Sequence, residues 1–84
     1  MLMTAAKINR ANGVPPWRQV AADLRQRVAA GEWESRLPAE RDLAYEYEVN
    51  FKVVRKALAA LRDEGLITTE QGYGSFVAGA PAPE

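Results

Sequence analysis

The sequence contains no cysteine and no histidine. The first absence rules out a disulfide framework and any thiolate zinc site. The second removes the side chain that most often serves as a general base near neutral pH. Metal binding would have to rest on carboxylates alone. No serine has a plausible base partner either, so catalysis is not expected, and neither is a metal or an organic cofactor. No apolar run approaches the roughly 18 residues of a membrane span. The opening MLMTAAKINRANG lacks the continuous apolar region of a signal peptide. The expected location is therefore the cytoplasm, with no membrane partner.

An excess of positive charge is missing too. Eleven basic residues face eleven acidic ones in 84 residues. Isolated DNA-binding modules are usually basic, so this balance counts mildly against nucleic acid. Its distribution tempers the objection. Six acids lie between Glu32 and Glu48, against Arg36 and Arg41, whereas Phe51–Arg62 holds four basic residues and no acid. The local field is what meets a ligand, and weak non-specific DNA binding is the expected result.

What is present is one small domain, a folded unit of about 65 residues, organised around NFKVVRKALAALRDEG, residues 50–65. Asn50 is a good N-cap and Gly65 a good left-handed terminator. Val54, Ala57, Leu58 and Leu61 fall at the spacing of a buried helical stripe. The opposite arc carries Phe51, Lys52, Arg55, Lys56, Ala59 and Arg62. Such a face is either simply solvated or turned toward phosphates and bases.

Upstream, Pro15-Pro16 opens a helix in which Trp17, Val20, Ala21, Leu24 and Val28 form a stripe, stopped by Gly31. Both tryptophans read as core residues, Trp33 by folding back on the last helical turn. Residues 34–37 read as a connector. Pro38 reads as the first residue of a second helix, PAERDLAYEY, with Leu43, Ala44 and Tyr47 facing inward. Glu48-Val49 is a tight turn. After Gly65, Leu66–Thr69 and Ser75–Val77 read as two strands about a Gln71–Gly74 turn, whose glycines supply positive φ. Residues 1–14 read as a flexible tail whose Lys7 and Arg10 could touch phosphates, and 79–84 as the start of a linker.

Two helices joined by a short turn and followed by a hairpin form a winged helix-turn-helix, mainly α with a two-stranded wing, over residues 15–78. The second helix of the pair would enter the major groove, with the first bracing it. The sequence resembles the N-terminal domain of the GntR family of bacterial transcription regulators. The resemblance is carried by Leu37-Pro38-Ala39-Glu40-Arg41-Asp42-Leu43-Ala44, by Val54-Arg55-Lys56-Ala57-Leu58, by Glu64-Gly65-Leu66-Ile67 and by Gln71-Gly72-Tyr73-Gly74-Ser75-Phe76-Val77.

The resemblance implies a sequence-specific double-stranded DNA-binding domain of a regulator, read first as a repressor, acting on a pseudo-palindromic operator. It also implies a following effector and dimerisation domain. The full-length regulator would be a homodimer, and the isolated domain monomeric or weakly dimeric. The DNA-binding set it implies is Arg41, Asn50, Phe51, Lys52, Val53, Arg55, Lys56, Gln71, Gly72 and Tyr73. Arg41 would touch backbone or base, Arg55 would read a base, and the residues after the cap would meet base edges. Gln71–Gly74 would approach the minor groove. Arg41 could instead pair with an acid at helical spacing, Lys56 could be solvated, and Tyr73 could be an ordinary hairpin residue.

The chain departs from the family's common GVSRTTVR run, having Glu48-Val49-Asn50-Phe51-Lys52-Val53-Val54-Arg55. Glu48 replaces a turn glycine. Phe51 replaces a frequent guanine reader and can offer only apolar contact, for instance to a thymine methyl, unless it packs against the wing. A winged helix used for protein contact, with Phe51 as an apolar hot spot, is the alternative. Its binding would lack the salt dependence of DNA association.

Overall fold

The structure is a computed structural model and describes residues 8–79. Three helices, α1 (Pro16–Ala29), α2 (Glu40–Tyr47) and α3 (Phe51–Asp63), precede two strands, β1 (Ile67–Glu70) and β2 (Gly74–Val77). The strands pair antiparallel, with Ile67 opposite Val77 and Glu70 opposite Gly74.

Stripe spacing places the core. Val20, Ala21 and Leu24 of α1 meet Leu43, Ala44 and Tyr47 of α2 and Val54, Ala57, Leu58 and Leu61 of α3. Trp17, Val28 and Trp33 pack half-buried around them, and Ile67 carries the wing onto the same core. Among the described residues no helix is long and apolar enough to cross a membrane.

All three helices end alike. Two or three residues past each helix, a backbone N–H bonds back five residues: Glu32 to Arg27 (3.1 Å), Val49 to Ala44 (3.0 Å) and Leu66 to Leu61 (3.0 Å). This closure needs one left-handed residue. Glycine supplies it at 31 and 65, but after α2 it is Glu48, at φ 58°. A side chain there costs roughly 1–2 kcal/mol.

The structure corrects the start of α2. Pro38 is not in the helix, which begins at Glu40 after an extended Ala39. The connector explains why. Its backbone pairs with β2, Leu37 N–H donating to Ser75 O (2.9 Å) and Ser35 O accepting from Val77 N–H (2.7 Å). Arg36 bridges to Phe76. Residues 35–37 are thus tied to the two-stranded wing through one isolated bridge, and the chain is still extended at Ala39.

The first part of the expected tail lies outside the described residues, Lys7 included. Residues 8–14 fold against α1. The Gln19 amide accepts from Asn9 N–H (2.7 Å) and donates to Asn9 O (2.7 Å) and Val14 O (2.9 Å). Arg10 donates to the carbonyl of Glu48 (3.0 Å), bracing the strained turn.

Candidate nucleic-acid interface

The start of α3 is set by its cap. Asn50 is extended, and its Oδ1 accepts from Lys52 N–H at 2.8 Å. This fixes the first helical turn so that Phe51 and Lys52 project outward. Phe51 is 44% exposed, so its ring stays partly open to solvent. One turn on, the Arg55 guanidinium lies 5.0 Å from the Phe51 ring centroid, a cation–π distance. Arg55 also pairs with Glu40 at 3.1 Å. Both side chains remain partly open to solvent, so this pair contributes well under the strength of a buried one.

Arg41 follows Glu40 on α2 and is exposed. Among the described residues it forms no ion pair, so the structure does not support the alternative of pairing with an acid at helical spacing. Lys52 is likewise exposed and unpaired there. Val53 is half-buried against the core. Lys56 sits over the Trp17 ring, 4.9 Å from its centroid, on the flank of α3 facing α1. The structure therefore brings Arg41, Phe51 and Arg55 together. It sets Val53 into the body of the domain and Lys56 at its side.

The hairpin tip is Gln71-Gly72-Tyr73, all exposed. Tyr73 N–H donates to Glu70 O at 2.9 Å, and Gly72 and Gly74 have φ of 87° and 111°. Arg62 donates to Thr69 Oγ1 at 3.0 Å, tying β1 to the end of α3.

Between α2, the start of α3 and the wing runs an open cleft. Arg10, Arg36, Arg41 and Arg55 line it, but so do Glu40, Asp42, Glu46 and Glu48. The charge segregation of the linear sequence is thus undone in space, because the acids of α2 fold beside the bases of α3. Sequence reasoning missed three features of this cleft: the Glu40 partner, Arg36, and Tyr45, which is 87% exposed. Tyr45 had one signal, since it falls off the Leu43, Ala44 and Tyr47 stripe. Glu40 and Arg36 had none in local periodicity.

Behind the cleft a polar network locks α1 to α2. The buried Tyr47 hydroxyl donates to Asp23 and accepts from Arg27 (2.8 Å). Arg27 also pairs with Glu32 (2.6 Å) and Glu46 (2.9 Å) and lies over Trp33. Burial pushes the Tyr47 phenol above its ordinary range, and the bond to Asp23 adds to this. The guanidinium of Arg27 holds the Glu32 carboxyl below its usual range.

A helix pair with a tight turn, an outward polar face on the second helix, and a hairpin beside it define a winged helix-turn-helix DNA-binding domain. The chain belongs to the family of bacterial regulatory proteins called gntR, whose pattern residues 16–77 match. It is 40% identical over 77 residues to an uncharacterised HTH-type transcriptional regulator of Rhizobium meliloti (strain 1021), covering 89% of this chain and 32% of that protein. It is 33% identical over 72 residues to the HTH-type transcriptional repressor NagR of Bacillus subtilis (strain 168), covering 83% and 30%. The chain thus spans about a third of the length of these curated relatives. Among solved structures, AraR(DBD) in complex with operator ORE1 superposes with a TM-score of 0.74 at 27% identity, over 87% of this chain and 92% of that one.

Proposed function

We propose that this domain reads a pseudo-palindromic operator as the DNA-binding part of a cytoplasmic, homodimeric repressor. In this reading α3 enters the major groove and the Gln71–Tyr73 tip meets the neighbouring minor groove. Arg55 reads a base, Phe51 contacts a thymine methyl, and Arg41 and Lys52 hold phosphates. Asn50 acts by fixing the helix start. In this reading residues 79–84 begin a linker to a dimerisation and effector domain of the complete regulator, and the DNA-binding domain alone is monomeric or weakly dimeric. Support comes from the operator complex of AraR(DBD) and from the repressor NagR.

The observation that carries the reading is the placement of Arg55 on the outer face of α3, braced by Glu40 and stacked on Phe51. The test is binding to the promoter DNA of the protein's own operon, measured by fluorescence anisotropy. Arg55→Ala should weaken operator binding by about 1–3 kcal/mol and leave binding to mixed-sequence DNA almost unchanged. Equal affinity of the two proteins for the operator, or binding insensitive to salt, removes Arg55 from the reading role.

A further inference from the structure

Arg36 has no assigned role, yet its position is specific. Its backbone is held by the bridge to Phe76, between the bonds that tie Ser35 and Leu37 to β2. Its side chain runs to Gly74. A Cβ at Gly74 would lie 3.3 Å from Arg36 Nε and 3.4 Å from Nη2, so the guanidinium lies close against Gly74 and would have to shift by a few tenths of an ångström for any larger residue there. Arg36 is exposed, and among the described residues it pairs with no acid. It lines the same cleft as Arg41 and Arg55. Arg55 already has Glu40 and Arg10 donates to the Glu48 carbonyl, whereas among the described residues Arg36 and Arg41 form no ion pair.

We propose that Arg36 is a DNA-phosphate contact, gripping the strand that passes between α3 and the wing. This rests on the DNA-binding reading and extends it to a residue outside the helix pair and the hairpin tip. A planar guanidinium with several donors suits a phosphate bridging two walls of a cleft. The contact positions the duplex and carries no base information. Seating over Gly74 limits the rotamers of the side chain before DNA arrives, so less freedom is lost on binding.

The test is the salt dependence of binding by the 84-residue chain to a fluorescent mixed-sequence duplex. Each phosphate contact contributes about 0.9 to the slope of log K against log salt. Arg36→Ala should lower affinity several-fold at low salt and reduce that slope by about one, and Arg36→Lys should restore most of the slope. Arg25→Ala, on α1 and outside the cleft, should change neither. Circular dichroism and the melting midpoint report whether Arg36→Ala keeps the fold. Arg36→Gln, which keeps length and polarity without charge, should behave as Arg36→Ala does. A slope that stays unchanged in folded Arg36→Ala and Arg36→Gln overturns the proposal alone. No binding by the unsubstituted chain overturns the DNA-binding reading and this proposal with it.

Discussion

Glu40 of α2 and Arg55 of α3 are joined across the helix-turn-helix, Oε1 to Nη2, at 3.1 Å. The two residues are fifteen apart in sequence and sit on different helices. A carboxylate so placed orients the guanidinium, and it also sets a negative charge where phosphates must approach. Both effects favour selectivity over strength.

Glu40→Gln should therefore strengthen binding to mixed-sequence DNA while narrowing the ratio between operator and mixed-sequence affinities. Exposed ion pairs contribute about 0.2–1 kcal/mol, so the melting midpoint should barely move. Competition binding against mixed-sequence DNA measures the ratio. A widened ratio would show that Glu40 does not steer Arg55.

Glu48 occupies a left-handed position that glycine takes after the other two helices. Glu48→Gly should stabilise the fold by about 0.5–1 kcal/mol, the conformational relief being partly offset by greater freedom in the unfolded chain. It also removes an acid from the cleft, so DNA binding should tighten. Thermal unfolding and anisotropy report the two effects separately. A loss of stability would mean that the Glu48 side chain itself braces the turn.

Phe51→Arg addresses specificity. Arginine can bond both major-groove acceptors of guanine, which phenylalanine cannot. Selection of bound sequences from a random duplex pool should show guanine rising at one half-site position in the variant. Identical selected sequences for both proteins would place Phe51 away from the bases.

Tyr47 gives a pH prediction. An unperturbed phenol ionises near pH 10.0, and in the folded domain burial raises that value. Below pH 10 both states keep the proton and the contribution of Tyr47 is fully present. As pH rises further the unfolded chain ionises first, so stability falls. Tyr47→Phe should make this alkaline fall shallower, at a cost of about 1 kcal/mol at neutral pH from the lost hydroxyl. Tyr45→Phe, at an exposed site, should change neither. Urea unfolding across the pH range is the measurement.

Much of the architecture was legible because it is local. The Val54, Ala57, Leu58, Leu61 stripe, the Asn50 cap and the Gly65 stop act within a few residues of one another, and the hairpin declares itself through two glycines. What escaped notice is non-local. Pro38 reads as a helix start until Ser35 and Leu37 are seen to pair with Ser75 and Val77, residues far along the chain. Lys56 reads as part of a cationic face until Trp17 of α1 is found beneath it. The arc of four bases on α3 reads as a positive surface until α2 brings its acids alongside. Periodicity assigns a side chain to a face but not to a neighbour, and charge balance in a cleft depends on neighbours.

The pairing of residues 35–37 with β2 has a mechanical consequence. The segment entering α2 and the strand leaving the hairpin are bonded to each other, Ser35 to Val77, while Ala78 N–H is fastened to Leu66 O at 3.0 Å. A torque applied at Gly79 cannot bend the hairpin alone. It acts at once on the root of the brace helix and on the end of α3, so the spacing between the reading helix and the wing tip behaves as the gap of a rigid calliper.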